Sequence, residues 1–272
     1  MPTDPFRTRD HVPEFDDIVA DIKDRSVATR VRLPMLADIA YGPHNAERLD
    51  LLFPRDRIGN LPVHIFIHGG YWRMFSKSDY SYIADTVTKA GAIAVVIEYA
   101  LMPEVRMATI VDQVRRAKQW VLNNIAAHGG DPNRLTVSGH SAGAHLATFL
   151  FDRDSPGAVR STLLLGGLYD LRPLQDSFLK PLIGITDEEV EAFSPMKRDH
   201  PPQTDVMILV GEAETQPFHL QASRFAKLLT TQGLAVNEFI LEARNHMNSV
   251  RDLGDYQSRA GCCLARLIEG VR

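Results

Sequence analysis

Gly139-His140-Ser141-Ala142-Gly143 is a glycine–x–serine–x–glycine run, and its surroundings give it chemical meaning. Leu135-Thr136-Val137-Ser138 before it reads as a strand, and Ala144 to Phe151 after it reads as a helix. A serine at a tight strand-to-helix turn projects its hydroxyl from a strained backbone, as a nucleophile requires. Gly139 and Gly143 stand where a side chain would collide with the neighbouring strand or helix. Ala142 opens the helix with a free N–H, so that N–H and the positive end of the helix dipole point at a developing oxyanion. The predicted chemistry is attack by Ser141 on an ester or amide carbonyl. Without its flanks, the same run would serve as a helix start with a capping serine.

A second run supplies what such an attack needs next. His68-Gly69-Gly70-Tyr71-Trp72 follows directly on the apolar strand pattern Val63–Ile67. In an α/β-hydrolase the loop after this strand provides the other oxyanion donors. Glycine lets the backbone approach the substrate, so the N–H groups of Gly69, Gly70 and Tyr71 are assigned as donors, Gly70 first among them. His68 is read as structural, holding the loop by a hydrogen bond. Tyr71 and Trp72 either wall the acyl pocket or simply pack.

A serine hydroxyl needs a base, and the base needs an orienting carboxylate. In this fold the chain order is serine, acid, histidine. His200, His219 and His246 follow Ser141 at a useful distance. His200 lies beside two prolines and His219 opens a helical pattern. His246 lies in the polar stretch Glu242-Ala-Arg-Asn-His-Met-Asn, read as a loop between the strand Val236–Leu241 and the last helix, and it is the base expected here. The acid should follow the strand Asp205–Val210, in Gly211-Glu212-Ala213-Glu214-Thr215. Aspartate is usual there and none is present, so Glu214 is chosen, with Glu212 as runner-up. His140, Phe218 and Met247, with Trp72, are expected to wall the substrate pocket. No metal or cofactor is expected.

These residues need a scaffold. Short apolar runs at Ala46–Phe53, Val63–Ile67, Ile93–Glu98, Arg134–Ser138, Ser161–Leu165, Asp205–Val210 and Val236–Leu241 read as strands. Helical patterns separate them at Asp79–Ala90, Met107–Ala127, Ser141–Phe151, Phe218–Gln232 and Asp252–Gly270. Near-continuous apolar strands alternating with helices predict an α/β fold: a mostly parallel eight-stranded sheet covered on both faces. The stretch 36–53 reads as an antiparallel hairpin at one edge. The chain is expected to be a single α/β-hydrolase domain, 1–272. Within it, residues 1–33 form a surface or lid segment with a helix near Pro13–Lys23 and a loop after it. Leu171–Pro202 is an excursion placed over the site as a small cap. Thr186-Asp-Glu-Glu within it fits a capping box.

Composition narrows the function classes. With 272 residues, 44% hydrophobic and 24% charged, the chain can bury a core without disulfides. A net charge of −4 argues against nucleic acid or an anionic membrane as partner. No run reaches the roughly 18 apolar residues of a spanning helix. The first residues lack the apolar core of a signal peptide. Adjacent Cys262 and Cys263 read as buried small hydrophobes on a helix, in a reducing, cytoplasmic setting. The expected partner is a small ester or amide; a homodimer is a base-rate expectation.

The motifs resemble the hormone-sensitive-lipase-like and kynurenine formamidase branches of the α/β-hydrolases. Tyr41-Gly-Pro, Leu49-Asp-Leu-Leu-Phe-Pro54, His68-Gly-Gly-Tyr-Trp72, Tyr99-Ala-Leu-Met-Pro-Glu104, Gly129-Gly-Asp-Pro-Asn-Arg134, Gly139-His-Ser-Ala-Gly-Ala-His145 and Asn245-His246 carry the likeness across nearly the whole chain. The arylformamidase branch is the closer, with its H-G-G-x-W form and its acid loop followed by Phe218 and Gln221; Glu214 stands where that branch has aspartate. The resemblance implies hydrolysis of an aryl formamide of the N-formylkynurenine type. A general short-chain carboxylesterase is the alternative, and a non-catalytic binding module on the same fold is a remote one.

Overall fold

The structure is a computed structural model that describes residues 3–56, 59–155, 157 and 159–270. Residues 1 and 2, part of the stretch read above for a signal peptide, lie outside it. Eight strands form one sheet: β1 (Met35–Ala40), β2 (Arg48–Leu52), β3 (Leu61–Ile67), β4 (Ile93–Ile97), β5 (Gly130–His140), β6 (Val159–Leu165), β7 (Asp205–Gly211) and β8 (Val236–Leu241). Their order across the sheet is β1-β2-β4-β3-β5-β6-β7-β8. β1 and β2 pair antiparallel, as do β2 and β4; every later pair is parallel. This is the α/β-hydrolase arrangement.

Alternation along the strands builds two cores. Val63, Ile65, Ile67, Ile93, Val95 and Ile97 point to one face, under α3 (Met107–Asn124), α4 (Ala142–Thr148) and α7 (Gln216–Thr231). Phe66, Ala94, Val96, Leu163 and Leu165 point to the other, under α1 (Phe15–Arg32), α2 (Ala84–Lys89), α8 (His246–Asp252) and α9 (Arg259–Glu269). Helix α3 buries Ile110, Val114, Ala117 and Val121 at helical spacing. Each large aliphatic side chain so buried contributes about 1.5–3 kcal/mol.

Four expectations need correction. Helix α1 runs to Arg32, well past Lys23. Its second half is held by polar contacts that hydrophobic periodicity does not register. Ser26 Oγ donates to Asp79 O at 2.7 Å, and Thr29 Oγ1 donates to Asp85 at 2.8 Å. Arg30 adds an ion pair to the fully buried Asp50. The expected Asp252–Gly270 helix is shorter: Asp252 is the last residue of α8, residues 253–258 are turn and loop, and α9 begins only at Arg259. Ser258 caps α9 by accepting from Gly261 N at 2.9 Å, and Gly254 lies so close to Tyr82 that a Cβ would come within 2.3 Å of its ring. His246 therefore opens a helix of its own, capped by a box between Asn245 and Asn248, and does not lie in a loop. Of the two cysteines, both free, only Cys263 is buried; Cys262 is half-exposed and donates its S–H to Tyr256 O at 3.3 Å.

The 171–202 segment contains a 3-10 turn at Arg172–Asp176, α5 (Lys180–Ile183) and α6 (Asp187–Phe193), the last with the Thr186–Glu189 capping box. Glu189 also binds Arg106 and accepts from Met107 N at 3.1 Å, tying α6 to the start of α3. Among the described residues no helix is long and apolar enough to cross a membrane.

Candidate active site

Ser141 sits between β5 and α4 with φ 55° and ψ −118°, a backbone conformation that costs a non-glycine residue on the order of 1–3 kcal/mol. The turn is held by its neighbours. A Cβ on Gly139 would come within 2.2 Å of Gly143 O, and one on Gly143 within 2.0 Å of Ile67 O. Ser141 N donates to Leu165 O at 2.8 Å, which anchors the turn to β6. The Ser141 hydroxyl has no hydrogen-bond partner among the described residues, so it is free to engage a ligand.

The loop after β3 bends beside it. Gly70, Tyr71 and Trp72 have consecutive positive φ values of 108°, 52° and 58°. Arg73 N and Met74 N both donate to Gly70 O at 3.0 Å, closing the turn. Gly69 packs against the nucleophile turn; a Cβ there would lie 2.8 Å from His140 O and 3.3 Å from Ser141 Cβ. The N–H groups of Gly69, Gly70, Tyr71 and Ala142 carry no hydrogen bond among the described residues. His68 braces the loop: Nε2 lies 3.0 Å from Glu98 Oε1, Nδ1 lies 2.9 Å from Gly69 O, and its ring stacks on Tyr99 at 4.3 Å.

His246 Nδ1 lies 2.6 Å from Glu214 Oε2. Glu214 also accepts from Gly211 N at 2.9 Å, which fixes its carboxylate at the end of β7. The room for its extra methylene comes from Gly166, where a Cβ would stand 3.1 Å from both Glu214 oxygens and from His246 Cε1. Glu212 points elsewhere, accepting from Ala243 N at 2.8 Å on the exposed side. His200 is buried between Phe151 and Phe225, with Nδ1 3.3 Å from Gln232. Neither Glu212 nor His200 meets Ser141.

Ser141 and His246 line one cavity of about 270 Å³, together with Gly70, Tyr71, His140 and Met247. No direct hydrogen bond joins the Ser141 hydroxyl to the imidazole, a spacing that commonly tightens only when substrate is bound. His140 donates from Nε2 to His246 O at 3.0 Å, so its Nδ1 is an acceptor, and that atom is buried without a partner. Burial, and then the neighbouring His246, holds the His140 imidazole well below its ordinary pKa and therefore neutral.

Two expected pocket residues do not line this cavity. Trp72 is fully buried behind the loop, its Nε1 donating to His145 Nδ1 at 3.2 Å. The left-handed turn at residues 70–72 sends its ring inward, leaving only Tyr71 of the pair on the cavity. Phe218 is buried behind the imidazole, its ring 4.6 Å from His246 and 6.1 Å from Phe6. Motif reading also missed much of the wall. Thr8 and Phe15 come from the N-terminal segment, Met74 and Phe75 follow the glycine loop, and Phe178 and Leu182 come from the 171–202 segment. Of these only Met74 and Phe75 had a signal, their adjacency to the His68–Trp72 run. Among the described residues no group of three or more His, Cys, Asp or Glu could hold a metal ion.

The BD-FAE family model matches residues 49–152, the stretch holding the oxyanion-type loop and the Ser141 turn. A kynurenine formamidase from Danio rerio is 28% identical over 248 residues, covering 87% of this chain and 83% of that protein. A solved structure from Silicibacter sp. TM1040, described as a candidate thioesterase, superposes with TM-score 0.84 at 25% identity over 98% of each chain. An esterase from Pyrobaculum calidifontis shares the fold with TM-score 0.76 at 19% identity, covering 94% of this chain and 93% of that one. The chain is a hydrolase of the α/β-hydrolase type.

Proposed function

Taking an α/β-hydrolase with formamidase and esterase relatives as the premise, we propose that this chain is a serine hydrolase that removes a small acyl group from an aromatic amine or alcohol, an aryl formamide first of all. Ser141 is the nucleophile, His246 the base and Glu214 its orienting acid. His246 takes the Ser141 proton as Oγ bonds to the carbonyl carbon. The oxyanion is held by N–H groups of Gly69, Gly70, Tyr71 and Ala142; each such donor is worth about 2.7–4 kcal/mol of barrier. The carbon–nitrogen bond breaks, and the leaving amine takes the proton from the imidazolium. Water then gives a proton to His246 and attacks the acyl carbon. The carbon–Oγ bond breaks, Ser141 regains its proton, and formate is released. With an ester, the leaving group is an alcohol and the steps are otherwise the same.

The observation that carries this reading is the 2.6 Å contact between His246 Nδ1 and Glu214 at the wall of the cavity that also presents a strained, unpartnered Ser141. The aromatic lining of Tyr71, Phe75, Tyr80 and Phe178 supports an aryl substrate. A short-chain carboxylesterase remains the second reading, supported by the esterase of the same fold. Two measurements test the proposal. A fluorophosphonate should label the wild type and leave Ser141→Ala unmarked; an unlabelled wild type would sink the serine mechanism. Aryl formamides should then be cleaved faster than p-nitrophenyl butyrate, and the reverse ranking would favour the esterase.

A further inference from the structure

Three arginines line the cavity beside Ser141, and no aspartate or glutamate does among the described residues. Two of the three are engaged. Arg9 Nη1 contacts both oxygens of Asp16, at 2.7 and 2.6 Å, and its guanidinium lies over the Phe15 ring. Arg7 stands 3.7 Å from Asp10 and over the Phe178 ring. Arg73 differs. Its side chain has no hydrogen bond or ion pair among the described residues, and its buried Nε lacks a partner. Arg73 is partly exposed, but its Nε is held out of water with nothing to bind, and an unpaired buried donor is costly until a partner completes it. Tyr80 repeats the pattern, lining the same cavity with a buried, unpartnered hydroxyl. Two unmet donors in an aromatic-walled cavity free of acidic side chains call for an aromatic ligand with a negatively charged acceptor.

The position of Arg73 is fixed by the turn that shapes the oxyanion loop, since Arg73 N is bonded to Gly70 O. An anion on Arg73 and a carbonyl at the Gly70 and Tyr71 N–H groups would therefore be held at a set separation by one rigid segment. We propose that Arg73 binds a carboxylate carried by an aromatic substrate whose acyl group lies at Ser141. Guanidinium suits this task because its planar donors match a carboxylate in pairs. The placement of the acyl group rests on the serine-hydrolase reading; the anion site does not.

The test pairs an aryl formamide bearing a side-chain carboxylate with the same compound bearing a neutral carboxamide. In the wild type, kcat/KM should favour the carboxylate by about tenfold to a hundredfold, the worth of a hydrogen bond to a charged group. Arg73→Gln should bring that ratio close to one, chiefly by raising KM for the carboxylate, and Arg73→Lys should restore part of it. A wild-type ratio of one, or a ratio that survives in Arg73→Gln, overturns the proposal. If no formamide is cleaved, the same pair as aryl acetates gives the ratio. If nothing is cleaved, the serine-hydrolase reading has failed, and calorimetry decides the anion site alone. 3-Phenylpropionate should then bind the wild type at least tenfold more tightly than 3-phenylpropionamide, and equal binding overturns the proposal. That pair of wild-type isotherms also decides the matter if Arg73→Gln does not fold.

Discussion

Two serine–histidine neighbourhoods lie close together in this molecule, one inside the sheet and one beyond the carboxyl ends of its strands. Inside, His64 on β3 is bracketed by β5, with Nδ1 2.8 Å from Thr136 Oγ1 and Nε2 2.7 Å from Ser138 Oγ. All three residues are fully buried, and no carboxylate bonds to the ring. Burial lowers the His64 pKa to about 3, so the imidazole is neutral and merely satisfies two hydroxyls. Beyond the strand ends, His246 has a carboxylate on one nitrogen and lines a cavity, while Ser141 stands unpartnered on a strained turn. The better-formed serine–histidine hydrogen bond is thus in the place that cannot do chemistry. Reactivity needs the opening, the orienting acid and the unspent N–H donors, and a short contact alone supplies none of these.

Four measurements would break or sharpen that contrast. Ser141→Ala should lower kcat/KM by on the order of 10⁵-fold or more, since removing a triad nucleophile leaves only residual catalysis. An active Ser141→Ala would erase the distinction. Glu214→Gln should cost on the order of 10³–10⁴-fold by releasing the imidazole from its tautomer, whereas Glu212→Gln should stay within a few-fold. Equal losses in the two variants would mean that the 2.6 Å contact has no special role. The third concerns acid stability. His64 titrates at about 3 when folded and at 6.5 when exposed, so below about pH 6.5 the unfolded chain binds the extra proton and stability falls as pH drops. The slope is about 1.4 kcal/mol per pH unit between about pH 6 and pH 4, close to 3 kcal/mol in all. Chemical denaturation across that range should be shallower by this amount in His64→Asn; parallel curves would refute it. The smallest effect is Ser138→Ala. It should cost about 1–3 kcal/mol of stability by stranding a buried imidazole nitrogen, and leave kcat/KM within a few-fold.

The parts legible in the sequence were those fixed by short-range backbone geometry. Gly139 and Gly143 announce the Ser141 turn because each would clash with backbone atoms if it carried a Cβ. The apolar runs announced the strands, and the polar stretch after Val236–Leu241 singled out His246 over His200 and His219. Glu214 could be favoured over Glu212 in the sequence, but only the fold separates a carboxylate at the imidazole from one bonded to Ala243 N. Elements defined by distant partners were not legible. The second half of α1 depends on Asp79 and Asp85, and its polar buried face looks like loop when read alone. Trp72 reads equally as pocket wall or as packing, because nothing in its own neighbourhood reveals that three left-handed residues turn it toward His145. The cavity wall is the extreme case, assembled from residues 7–15, 70–80 and 178–182.

The roof over Ser141 has a further consequence for when this molecule becomes competent. Phe6 O accepts from the Tyr71 hydroxyl, Pro5 O accepts from Thr215 Oγ1 at 2.6 Å, and Asp4 accepts from Phe178 N. The Pro5 contact spans 210 residues of chain. During synthesis residues 4–8 precede nearly all their docking partners, and they cannot settle until β7 and the start of α7 have been made. Closing so long a loop is slow relative to local steps. The part of the cavity wall anchored by residues 4–8 therefore cannot close until the chain through Thr215 is available. A ribosome-bound chain stalled before residue 215 would carry the nucleophile without its complete enclosure.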